Sequence, residues 1–185
     1  MSDSEASARK VELLEAAYAY ALRHGLADLS LRPLAAEIGS SPRVLLFLFG
    51  SKDGLVRALL ARARADELKV LDGIRGRDLP EVTRRVWDWL AAPEHRALLT
   101  LWAEAYTRSL LDPGGPWAAF ARTTVRDWLD LLAAAQPAAE RDTPAGLAER
   151  SLTLAVLRGA LLDLLATGDV ERTTAAVDAF IPPLR

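Results

Sequence analysis

Apolar residues recur at intervals of three and four along most of the chain, the repeat of helices that bury one face. Val11, Leu14, Tyr18 and Leu22 form the first such stripe and predict a helix over residues 8–24. It ends at Gly25, glycine being common just past a helix end, and the seven residues ahead of it are expected to fray. Leu31, Leu34, Ala35 and Ile38 form a second stripe, with Ser30 as N-cap and Gly39 as terminator. Ser41-Pro42 restarts the chain with a capping serine and a proline at the first helical position, giving a short helix to about Phe49. Ser51 caps a longer fourth helix whose Leu55, Leu59, Leu60 and Ala63 face inward and which frays near residues 71–76.

The remaining chain follows the same rule. Asp78-Leu-Pro-Glu81 has capping-box spacing and opens a helix ending near Ala92. Pro93 opens another that runs to Leu111, and the Asp-Pro-Gly-Gly-Pro run at 112–116 is a loop. Residues 117–136 read as a helix, 137–144 as a flexible connection, 146–167 as a long helix closed by Gly168, and 170–181 as a last one. The total is about nine helices and no strands.

Composition agrees. The chain holds 34 Ala and 34 Leu but only 13 Val plus Ile, which makes a sandwich, barrel or doubly wound sheet a poor fit and an all-α fold the expectation. With 51% hydrophobic residues a sizeable core is available. The absence of Cys removes disulfides, thiolate metal sites and thiol nucleophiles. The longest uncharged run is nine residues, short of the roughly 18–20 that a spanning helix needs. The acidic, polar N-terminus is unlike a signal peptide. The expectation is therefore a cytoplasmic protein without a membrane partner.

Net charge is −2, but the charges are unevenly placed. Residues 8–64 carry nine Lys/Arg against five Asp/Glu, and residues 65–185 carry 14 against 18. This is the pattern of a basic module on an acidic body. The basic part contains the most informative stretch, residues 30–52. Two short helices joined at Gly39 and restarted by Ser41 form a helix-turn-helix pattern, whose second helix can enter a major groove of double-stranded DNA. Arg43, beside Pro42 at the start of that helix, can reach guanine or phosphate. Ser30, Arg32, Ser40, Ser41 and Lys52 stand at helix starts, where free N–H groups and cations bind phosphate. As alternatives, the serines act only as caps, the cations are only solvated, and Phe49 belongs to the core.

The runs LLEAAYAYALRHGLADLSLRPLAAEIGSS from Leu13 and LFLFGSKDGLVRALL from Leu46 resemble the TetR (tetracycline repressor-like) transcriptional regulators over residues 9–60. Relatives commonly place an aromatic and a His before F-x-S-K-x-x-L, and Phe49, Gly50, Ser51, Lys52 and Leu55 match that ending. Leu46, Phe47 and Leu48 depart from it, lacking the hydroxyl and imidazole that would bond phosphate. Apolar side chains such as Val44, Leu46 and Phe47 can still meet a thymine methyl, with fewer phosphate contacts and a shallower salt dependence.

The resemblance implies a DNA-binding domain over residues 1–50 and a helical regulatory and dimerisation domain over residues 51–185. It also implies a homodimer formed through the last two helices and a pocket for a small apolar or amphipathic ligand. The reading is a repressor released by that ligand from a near-palindromic operator. In the sequence itself, Trp87, Trp102, Tyr106, Trp117, Phe120 and Trp128 are candidate pocket residues, each also explicable as core. The helix at 146–167 is apolar on two sides. Leu152, Val156, Gly159 and Asp163 on it, with Val177 and Phe180 on the last helix, are the candidate dimer interface. For Arg158 and Asp163, an ion pair at the dimer seam is preferred over a ligand contact.

No H-E-x-x-H, P-loop, G-x-G-x-x-G or G-x-S-x-G occurs, and the two His, 24 and 95, lack ligand spacing. No enzyme, cofactor or metal site is therefore expected. The competing reading is a helical interaction protein of the same fold with weak or lost DNA binding, for which Leu46 and Leu48 argue.

Overall fold

A computed structural model of the chain describes residues 3–26 and 28–181. Among these are ten α-helices, one 3₁₀ turn at Pro93–His95 and no strand. The helices are α1 Asp3–His24, α2 Leu31–Glu37, α3 Pro42–Phe49, α4 Lys52–Gly73, α5 Leu79–Ala91, α6 Arg96–Leu111, α7 Phe120–Ala134, α8 Ala138–Arg141, α9 Pro144–Thr167 and α10 Val170–Phe180. None is long and apolar enough to cross a membrane. Two compact units emerge, Met1–Glu67 with Thr100–Ala121, and Leu68–Leu99 with Arg122–Arg185. The sequence boundary at residue 50 falls inside the first unit.

In the first unit α1, α2 and α3 pack on one another. Leu13, Ala17, Ala21, Leu34, Leu45, Leu55 and Leu59 are buried to within a few per cent. The inner face of α1 is turned from the one its apolar stripe suggested. Leu13, Ala17 and Ala21 are inside, whereas Val11 is 59% exposed. Alanines at 17 and 21 allow close helix approach, which a stripe weighted by large residues overlooks. Tyr18 is buried under Arg62, whose guanidinium lies 4.9 Å from the ring centre. Arg62 also bonds Glu15 of α1 at 2.6 Å and Asp66 one turn on at 2.5 Å, joining α4 to α1. Burial first, then the neighbouring Asp66 charge, push the Tyr18 phenol well above its ordinary range. The segment from α6 adds Leu101 and Ala105 to the buried set, and Glu104 Oε2 accepts the Leu26 N–H at 2.9 Å.

In the second unit α5, α9 and α10 form a mutually packed trio. Val86, Trp87, Leu157, Leu161 and Val177 are nearly inaccessible, and the Trp87 indole N–H donates to Thr174 Oγ1 at 2.9 Å. Buried Thr83 and Thr173 return their hydroxyls to the carbonyls four residues back, so neither of these two donors is stranded. His95 Nδ1–H donates to the Trp89 carbonyl at 2.8 Å and its ring stacks on that indole at 4.2 Å.

Two expectations need correction. The segment 137–144, expected to be a flexible connection, contains α8 and is clasped by a buried polar group. Gln136, 3% exposed, donates to the Gly146 carbonyl and Glu149, both at 2.9 Å, and accepts from Arg150 at 3.1 Å. Arg150 also donates to the Arg141 carbonyl, and Arg141 to that of Gln136. The ion pair foreseen for Asp163 forms within the chain. Arg172 grips both Asp163 oxygens at 2.7 Å, closing the α9–α10 corner, and this holds the carboxyl below its usual range.

Asp78 caps α5 as its spacing foretold, accepting from Glu81 N at 2.9 Å, but the return bond reaches Arg77 N rather than Asp78 N. That backbone bond, then the Arg77 and Arg85 side chains, hold Glu81 at about 2, below the ordinary 4.5. A depressed carboxyl stabilises the fold above its ordinary range and ceases to do so as it is protonated. The melting-temperature advantage of the wild type over Glu81→Gln should therefore be full above about pH 5 and vanish toward pH 2. Thermal unfolding followed by circular dichroism across that range checks this, and an advantage that grows on acidification contradicts it.

Candidate functional site

The site begins with how α2 ends. Gly39, at φ +65°, takes the left-handed conformation; Ser40 N–H bonds the Ala35 carbonyl at 2.8 Å, and Gly39 N–H that of Ala36 at 3.4 Å. This pair of bonds is a Schellman stop. The chain turns sharply and re-enters helix at Ser41, whose Oγ accepts from Val44 N at 3.3 Å with Pro42 at the first position. Ser30 has the extended backbone of an N-cap but makes no side-chain cap bond, contrary to the role foreseen for it.

Within α3 the inward face is Leu45 and Phe49, both buried, with Lys10 5.4 Å from the centre of the Phe49 ring. The outward face carries Arg43, Val44, Leu46 and Phe47, Phe47 being 73% exposed; Leu48 is half-buried. Arg32 and Lys52 are exposed as well. None of Arg32, Arg43 and Lys52 pairs with a carboxylate among the described residues. Glu37, the acid at the end of α2, is engaged by Arg23 at 2.5 Å and approached by His24 at 3.4 Å. Pro42 and Ser40 are half-buried, and the Ser40 Oγ is shielded from solvent, so it reaches a ligand only if its rotamer changes. Arg43, with the α3 N-terminus and the apolar strip behind it, thus makes a cationic tip on a hydrophobic ridge.

One residue that sequence reasoning passed over fixes the angle of this ridge. A Cβ on Gly54 would stand 2.0 Å from the Phe49 carbonyl oxygen. The first turn of α4, capped by Ser51 Oγ on Gly54 N at 2.9 Å, therefore lies directly against the end of α3. The signal available was a glycine inside the first turn of a helix, where it is otherwise disfavoured.

The body candidates divide between the two units. Trp102, Tyr106, Trp117 and Phe120 belong to the first, where Trp102 and Tyr106 rings lie 5.1 Å apart as their spacing suggested. Trp87 and Trp128 are buried in the second. A cavity of about 530 Å³ within the second unit is lined by none of these six. On α9 and α10, Leu152 and Gly159 are exposed, and Val156, Asp163 and Phe180 are half-buried. Val177 is core of its own unit.

An all-helical chain that presents a short, capped helix after a Schellman turn has the architecture of a helix-turn-helix DNA-binding protein. Residues 13–59 match the model for bacterial regulatory proteins of the tetR family. No curated protein sequence matches the chain significantly. Among solved structures, the multidrug binding protein EbrR complexed with imidazole is 25% identical over 95% of this chain and 91% of its own, with a TM-score of 0.67. The same protein has also been solved with proflavin. A TetR transcription regulator from Haloarcula marismortui is 21% identical over 94% of each chain, with a TM-score of 0.70. A TetR-family member from Streptomyces coelicolor A3 is 25% identical over 94% of this chain and 98% of its own, with a TM-score of 0.69. Residues 13–59 thus resemble the DNA-binding domain of the tetR family of bacterial regulatory proteins, and the chain has the fold of solved TetR-family transcriptional regulators.

Gly54→Ala forces backbone apart at the α3–α4 joint and should cost about 3 kcal/mol. Gly39→Ala meets no neighbouring atom and bears only the left-handed backbone, about 1 kcal/mol. Urea unfolding of both variants tests that order, and equal losses would contradict the close approach at Gly54.

Proposed function

We propose that the chain is a homodimeric, cytoplasmic transcriptional repressor that a small apolar or amphipathic molecule releases from a near-palindromic operator. The observation that carries this reading is the outward face of α3, where Arg43 stands without a carboxylate partner on a helix otherwise anchored by Leu45 and Phe49. Arg43 reads guanine or meets phosphate. Val44, Leu46 and Phe47 meet thymine methyls, and Ser30, Arg32, Ser40, Ser41, Pro42 and Lys52 flank the backbone. Residues 1–50 act as the reading head and 51–185 as the regulatory and dimerisation part.

Dimerisation uses the face of α9 that carries Leu152, Val156 and Gly159, with Phe180 of α10 beside it. Support comes from the exposure of Leu152, Leu162 and Leu147 on a helix whose other side, Leu154, Leu157, Leu161 and Leu164, is already core. Asp163 closes the α9–α10 corner, and Val177 supports the face from behind. A small-molecule ligand is suggested by EbrR, described as a multidrug binding protein and solved with imidazole and with proflavin. Trp87, Trp102, Tyr106, Trp117, Phe120 and Trp128 are the aromatic candidates for a pocket. Since α4 starts directly after α3 and its last residues belong to the second unit, a ligand that binds two arrangements of α4 unequally alters operator affinity.

The exposed Val44, Leu46 and Phe47 also suit a protein partner, which keeps the interaction-protein reading alive. A gel shift with the gene's own upstream DNA separates the two. The regulator reading expects a palindromic fragment to shift at low salt. Arg43→Ala should weaken it about tenfold or more and flatten the salt dependence. No shift, or an indifferent Arg43→Ala, favours the protein partner.

Gly159 has open space where a Cβ would stand, so Gly159→Arg is tolerated by the protomer and obstructs only a second chain. Sedimentation should show a dimer for the wild type and a monomer of unchanged helix content for the variant. A monomeric wild type refutes the interface.

A further inference from the structure

The 530 Å³ cavity of the second unit lies within the usual volume of small-molecule sites. Its walls come from the last turns of α4, the segment after it, the start of α5 and the second half of α7. Leu68, Leu71, Ile74, Val82 and Leu131 give it apolar sides, and Ala134 and Ala135 leave room by being small. Its polar lining is one-sided, with three carboxylates, Asp72, Asp127 and Asp130, against one guanidinium, Arg75.

That guanidinium is already occupied. Arg75 Nη1 donates to the Leu71 carbonyl at 3.1 Å and to that of Ile74 at 2.9 Å, answering the negative end of α4. Asp72 and Asp130 have no ion-pair partner among the described residues. The described residues include no group of carboxylates or imidazoles gathered closely enough to hold a metal ion. Separated carboxylates around an apolar hollow match a charge spread over an organic framework. They repel an anion and give a neutral ring system no polar complement.

We propose that this cavity binds an amphipathic organic cation, its ring system lying against Leu71, Leu131 and Ala134 and its charge facing Asp72 and Asp130. The proposal rests on the ligand-responsive reading above and names the ligand class for it. Selection is by charge and shape, since no aromatic residue lines the cavity.

The test is a fluorescence titration of the full-length protein without DNA at pH 8. Three probes of one size are compared: 9-aminoacridine, cationic at that pH; acridine, neutral there; and 9-anthracenecarboxylate, anionic. The wild type should prefer 9-aminoacridine to acridine by about fivefold or more, as two partly solvated carboxylates can supply. The anion should bind weakest. Asp72→Asn with Asp130→Asn should abolish the preference while leaving acridine binding unchanged. Ala134→Trp, which fills the cavity, should weaken both rings. If the double variant fails to fold, Asp130→Lys at an exposed position should reverse the preference alone.

The proposal is overturned by equal binding of the cation and the neutral ring, by a preference that survives the aspartate changes, or by undiminished binding to a folded Ala134→Trp. Operator release is read separately by gel shift. Binding without release leaves the cavity standing and removes the ligand-responsive reading. Release of operator by a ligand of another class, without acridine binding, does the reverse.

Discussion

The molecule's working surface depends on a contact in which a side chain has no room. The Phe49 carbonyl and the Gly54 α-carbon approach so closely that a methyl group between them would overlap the oxygen. Because α3 ends and α4 begins across that contact, the direction of the reading helix is tied to the direction of the long helix after it. The Ser51 cap bonds Gly54 N, holding the same turn from its other side. Leu45 and Phe49 then need only anchor α3 by one face, and the opposite face, with Arg43 and Phe47, is left to solvent.

Local chemistry made much of this legible in advance. The Ser41-Pro42 start, the Gly39 and Gly168 stops and the Asp78 cap are contacts between residues three to five apart, so the chain announces them. The two faces of α9 were likewise readable from spacing, because Leu154, Leu157, Leu161 and Leu164 recur at helical intervals and are all buried. What was not legible depends on distant partners. α8 is only four residues long and is held by Gln136, Arg141 and Arg150, a clasp that periodicity does not encode. The inner face of α1 was misjudged because alanines, not the larger Val11, decide its packing. The cavity is invisible in sequence because it arises where small residues of α7 face the end of α4, whereas the pocket signal that the sequence carries is its tryptophans, none of which lines it.

Several polar groups of the second unit follow one logic. The buried Thr83 and Thr173 hydroxyls return to their own helices, Gln136 is bonded at both ends of its amide, and Asp163 is matched by a two-pronged guanidinium, whereas the buried Thr124 hydroxyl of α7 has no partner among the described residues. The pairing that does form makes the arrangement specific, because a displaced helix would strand several donors at once. Asp72 and Asp130 at the cavity differ, having no ion-pair partner among the described residues.

The bond from Glu104 to Leu26 N–H spans 78 positions of sequence. With Leu101 and Ala105 it completes a unit whose other members are drawn from the first 67 residues. On a ribosome the three N-terminal helices therefore emerge well before the piece that finishes their core. At synthesis rates of about 5–20 residues per second, that interval lasts several seconds. During it the loop after α1 has an amide without its carboxylate and the exposed ridge of α3 has no finished support. The reading head is thus finished late in synthesis, although its own helices are encoded before the segment that completes it.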